Sequence, residues 1–114
     1  MNLDDYQKTA AETAIYPGRK ELAGLVYCTL GLAGEAGELA NKIKKLIRDG
    51  GGIMPVAGSV ARAALVEELG DVLWYAAELA SNFSLHLSDV AEANLDKLAA
   101  RQRFGTLKGS GDER

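Results

Sequence analysis

Apolar residues recur at helical spacing along most of the chain. Leu22, Val26, Leu32, Ala36, Leu39, Ile43 and Leu46 follow one another at intervals set mainly by three and four, which predicts a long helix from about Lys20 to Asp49. Gly50, Gly51 and Gly52 stop it, and residues 50 to 58 form a connection containing glycine and proline. Ser59 suits the cap of a third helix reaching about Phe83, with Leu65, Leu69, Val72, Ala76, Ala80 and Phe83 as its apolar stripe. A shorter first helix runs from about Asp4 to Ile15 and ends before Pro17 and Gly18; Asp4 and Asp5 suit its first turn. Ser88 and Asp89 open a fourth, through Val90, Ala91, Leu95 and Leu98. No alternating strand pattern competes. The expected fold is therefore all-α, a four-helix bundle over residues 1–104, followed by a glycine-rich tail over 105–114.

Composition narrows the picture. A chain of 114 residues with 47% apolar content fits one domain with one core, and no internal repeat divides it. A bundle this small gains core by pairing, so a homodimer or homotetramer is expected. The net charge of -3, with both signs mixed along the sequence, argues against a nucleic-acid polymer as partner. Neither a leader pattern nor a run long enough to span a bilayer is present, which makes the cytoplasm the default compartment and a membrane partner unexpected. Cys28, the single cysteine, lies among Leu25, Val26 and Leu32 and reads as core packing. His86 stands alone and reads as a helix-end or loop residue.

Two acidic pairs are the chemistry-bearing feature. Glu35 and Glu38 stand three apart in the second helix, and Glu68 and Asp71 stand three apart in the third. Such spacing aims two carboxylates to nearly one side of a helix. Glu35 lies between Leu32 and Leu39, and Glu68 between Leu65 and Val72, so both pairs flank an apolar stripe rather than opposing it. Four converging carboxylates repel, and a hard divalent cation with oxygen ligands removes the conflict. With no Cys or His cluster, Mg2+ or Mn2+ is expected over zinc. Gly34, Gly37 and Gly70 each cost about 1 kcal/mol relative to alanine inside a helix; close helix approach or room for a ligand would explain them. Lys42, Lys44, Lys45 and Arg48 suit the C-terminal end of the second helix dipole, and Lys42 and Lys45 are also candidates for phosphate contact. Trp74, Tyr75, Tyr6, Tyr16 and Tyr27 either fill helix interfaces or stack on a base.

These residues carry a resemblance. Gly34-Glu35-Ala36-Gly37-Glu38-Leu39, followed by Glu68-Leu69-Gly70-Asp71-Val72-Leu73-Trp74, resembles the MazG-like all-α nucleoside triphosphate pyrophosphohydrolases, whose pattern is an E-E-x-x-E block and an E-x-x-D block on adjacent helices. The resemblance implies magnesium ligands at Glu35, Glu38, Glu68 and Asp71, and hydrolysis of a nucleoside triphosphate to the monophosphate and pyrophosphate. Asn94-Leu95-Asp96-Lys97-Leu98-Ala99-Ala100-Arg101 is similar to the family's N-x-x-K-L-x-x-R segment, which implies triphosphate contacts from Asn94, Lys97 and Arg101. One position departs: Gly34 stands where the family's block begins with glutamate, so the water-activating role passes to the metal alone, to Glu67, or to Glu38. The base and sugar are not specified by these motifs. A phosphoribosyl-ATP pyrophosphohydrolase-like enzyme and a non-catalytic helical interaction module are the alternative readings.

Overall fold

A computed structural model describes residues 1–113 of the chain. Four helices follow in order, α1 (Leu3–Ala11), α2 (Leu22–Gly50), α3 (Val60–Asn82) and α4 (Leu87–Arg103), with no strand among the described residues. Each boundary has a local cause. Asn2 caps α1 in a reciprocal box with Asp5. The Thr13 hydroxyl donates to the Ala10 carbonyl at 2.7 Å, and α1 ends at Ala11, short of the expected Ile15. Gly51 ends α2 in the left-handed conformation at φ 65, and Ser59 caps α3 as expected by accepting from the Arg62 amide.

The start of α4 is capped from a distance. Its Leu87 amide donates to Gln7 Oε1 at 2.8 Å, and the Ser88 amide and hydroxyl donate to Asp4 at 3.0 and 2.7 Å. The first turn of α4 thus satisfies its free amides on α1. His86 occupies the cap position of α4, the helix-end role expected of it.

α2 and α3 form the main packed pair and run antiparallel: Cys28 lies near Asn82, Gly31 near Tyr75 and Lys42 near Glu68. α1 and α4 pack against α3 and each other, while neither touches α2. Ala77, Ala80 and Leu87 form the buried cluster, with Tyr6 against it, and Cys28 is fully buried as expected. The predicted stripes are only partly covered within one chain. Leu69, Phe83 and Leu95 stay exposed at 57%, 60% and 65%. The radius of gyration, 16.9 Å, exceeds the roughly 13 Å of a compact domain of this length. Four helices are present, but one copy does not close them around a single core.

Candidate metal centre

The close approach of α2 to α3 begins at glycine. A Cβ on Gly31 would lie 2.2 Å from the Tyr75 ring, and one on Gly24 would lie 2.8 Å from Asn82 Oδ1. Gly34, Gly37 and Gly70 do not serve this purpose, because an added Cβ there meets nothing within 4 Å. Around Gly31 the aromatic side chains pack on one another. Tyr16 stacks on Tyr27 with centroids 5.0 Å apart, Trp74 meets Tyr75 edge-on at 5.0 Å, and the Trp74 indole donates to Thr13 at 2.8 Å. They act here as interface filling.

One turn beyond Gly31 stands Glu35, and one turn before Tyr75 stands Asp71. In the antiparallel register this brings Glu35 of α2 to Glu68 and Asp71 of α3, with one carboxylate oxygen from each lying within 4.8 Å of the others. Glu35 and Glu68 are half-buried and Asp71 is exposed. Loss of hydration pushes the Glu35 carboxyl above its usual range, and the charges of Asp71 and Glu68, a hydrogen bond with Glu68 and the charge of Glu38 push it the same way. The donor set is all oxygen, crowded and short of positive charge, which fits a hard divalent cation.

Glu38 is exposed and lies outside this trio, although its charge is felt at Glu35 and Lys42. Glu67 is exposed and lies outside the trio, although its charge is felt at Lys42. Lys42 pairs with Glu68; the hydrogen bond to Glu68 holds its ammonium above the ordinary lysine value, and Glu68, Glu67 and Glu38 add to the effect. Asn94 and Lys97 are exposed on α4, which does not touch α2. Arg101 is 6% exposed; its Nη2 donates to the Asp112 carbonyl and carboxylate at 3.3 and 3.4 Å, and its Nε makes no hydrogen bond. Within one chain these three residues are not brought to the acidic trio.

Sequence reasoning missed a second charged centre. Glu78 is fully buried; Tyr16 Oη donates to it at 2.6 Å and Arg19 at 3.0 and 3.3 Å, while Asn82 Nδ2 donates to the Tyr16 oxygen at 2.9 Å. Asn82 Oδ1 accepts from the Lys20 amide at 2.7 Å, where Lys20 has φ 66. This network fastens the α1–α2 loop to α3. The available signal was an acid inside the apolar run Leu73 to Ala80, a place where a charge requires a partner.

No helix is long and apolar enough to cross a membrane among the described residues. No solved structure matches the chain significantly. The Gene 37 protein of Mycobacterium phage L5 is 48% identical over 117 residues, with all of both chains covered. The MazG nucleotide pyrophosphohydrolase domain matches residues 27–104, a span that holds the acidic trio, Glu38, and Asn94, Lys97 and Arg101. With its all-α fold and its carboxylates converging from α2 and α3, this chain belongs to the MazG nucleotide pyrophosphohydrolase family.

Proposed function

We propose that the protein is a magnesium-dependent pyrophosphohydrolase that converts a nucleoside triphosphate, ribo or deoxyribo, to the monophosphate and pyrophosphate, serving nucleotide-pool house-cleaning. The observation that carries this reading is the convergence of Glu35, Glu68 and Asp71 within 4.8 Å. Those three residues would hold the metal, with Mn2+ as a substitute for Mg2+. When bound, the ion supplies charge neutralisation on the polyphosphate and a more acidic water.

In the reaction, water adds to the α-phosphorus, the bond from that phosphorus to the bridging oxygen breaks, and pyrophosphate leaves with the bond's electron pair. Glu38, exposed beside the trio and not drawn into it, is the carboxylate we assign to receive the water's proton. That assignment fills the role left open at Gly34. Asn94, Lys97 and Arg101 would bind the triphosphate, and since α4 does not touch α2, they would do so from a second copy in a homodimer or homotetramer. The exposed apolar faces support such pairing.

The test is a screen of ordinary and damaged ribo- and deoxyribonucleoside triphosphates, with phosphoribosyl-ATP alongside, in the presence of Mg2+. Pyrophosphate release from a triphosphate, lost in Glu38→Ala and Asp71→Ala, is the expected result. No release from any triphosphate would sink the enzyme reading, and full activity in both variants would sink the site.

A further inference from the structure

Lys42 is placed to answer the charge of the acidic centre. It follows Glu38 by four residues and Glu35 by seven, so it rises from the same side of α2 as both carboxylates. Its ammonium pairs with Oε1 of Glu68, one of the three residues available to a metal. The other cations of this helix end differ. Arg48 is taken up by Asp49 at 2.6 and 2.7 Å, and Lys44 and Lys45 are exposed.

The two ends of the Lys42–Glu68 pair are unequal. The Glu68 side chain is 14% exposed, whereas that of Lys42 is 34% exposed. The carboxylate is held by its surroundings, and the ammonium sits on a flexible four-carbon stem. Lys42 also borders a cleft of about 420 Å³, lined with Lys45, Leu46, Asp49, Ala61, Ala64 and Leu65. It therefore adjoins both the carboxylates and open space large enough for part of a ligand.

A divalent ion on Glu68 competes with Lys42 for the same carboxylate charge. Once Glu68 is committed to a metal, Lys42 loses its partner and meets like charge in its place. Turned toward the cleft, it would meet the phosphate oxygens of a substrate held at the same centre. We propose that Lys42 is an internal stand-in cation: it neutralises Glu68 in the metal-free protein and transfers to substrate phosphate when the metal displaces it. The second half of this inference rests on the pyrophosphohydrolase reading; the first does not.

The experiment uses the full chain without nucleotide. Mn2+ is titrated into wild type, Lys42→Gln and Lys42→Arg and followed by the loss of the free-ion electron paramagnetic resonance signal. Inorganic pyrophosphate is then titrated calorimetrically at saturating Mn2+. Removing the competing charge should tighten Mn2+ binding in Lys42→Gln about tenfold and weaken pyrophosphate binding about tenfold. Lys42→Arg should keep pyrophosphate affinity within about threefold of wild type, since a phosphate-binding cation is retained. Unchanged or weaker Mn2+ binding in Lys42→Gln overturns the stand-in role, as does the absence of Mn2+ binding in all three proteins. Unchanged pyrophosphate affinity overturns the transfer. Neither titration needs turnover, so tighter Mn2+ binding in Lys42→Gln together with no hydrolysis of any triphosphate would refute the enzyme reading and leave the stand-in role in place.

Discussion

Glu78→Ala is the sharpest test of how the helices are held. The fully buried carboxylate accepts from Tyr16 Oη at 2.6 Å and from Arg19 Nε and Nη2 at 3.0 and 3.3 Å. Truncation removes the acceptor of the Tyr16 hydroxyl, whose residue is only 8% exposed. An unsatisfied buried hydroxyl and a small cavity together cost about 3 kcal/mol. The Arg19 side contributes little of this, because its side chain is 35% exposed and regains water. At about 2.1 cal/mol/K per residue, a domain of this length should lose about 12 °C in Tm. The assay is thermal unfolding by circular dichroism at one protein concentration, which holds any assembly equilibrium fixed. Tyr16→Phe should be destabilising alone and cost much less in the Glu78→Ala background, because the hydroxyl then has no carboxylate to lose. A Tm within about 3 °C of wild type for Glu78→Ala, or additive effects of the two substitutions, would refute the reasoning.

Glu35 has a raised folded-state pKa, so its stabilising contribution is complete below the ordinary glutamate value and is lost as pH rises through the raised one. In EDTA, Glu35→Gln should therefore melt above wild type at neutral pH and lose this part of the pH slope. Added Mg2+ should reverse the order, and a lower Tm for the variant in EDTA would contradict the assigned charge conflict. Gly31→Ala should cost about 1–3 kcal/mol by forcing the Tyr75 ring away, and it should weaken Mn2+ binding as α2 shifts from α3. Gly34→Ala, which meets nothing, should gain about 1 kcal/mol, read as a higher Tm. Sedimentation equilibrium should give at least twice the 12.1 kDa chain mass, and Leu95→Glu, on an exposed apolar position of α4, should lower the assembly state. A monomeric wild type would contradict the proposed pairing.

The helices were legible in the sequence because a 3.6-residue apolar period follows from burial whatever does the burying. Their packing was less so. The cap of α4 comes from Asp4 and Gln7, about 80 residues earlier, and the partners of Glu78 come from Tyr16 and Arg19, so no local pattern announces either. The acidic trio was visible in the i, i+3 spacing, but that spacing turns two side chains about 60° apart and lifts one about 4.5 Å along the axis. Glu35 can face the α3 pair directly while Glu38 stands at the rim, as found.

The same physics separates the two cation–carboxylate pairs of α3. Glu78 has no exposure, three hydrogen bonds from two residues and a tyrosine left stranded if it goes, so breaking it costs several kcal/mol and it behaves as structure. Glu68 has one pair, with a lysine a third exposed, and an interaction of that kind is worth about 1 kcal/mol or less. A pair so weak can be exchanged for a divalent ion, whereas the Glu78 pair cannot. One helix thus carries a fixed charge that holds α3 against the α1–α2 loop and, beside the acidic trio, a weakly held one that the proposed metal would displace.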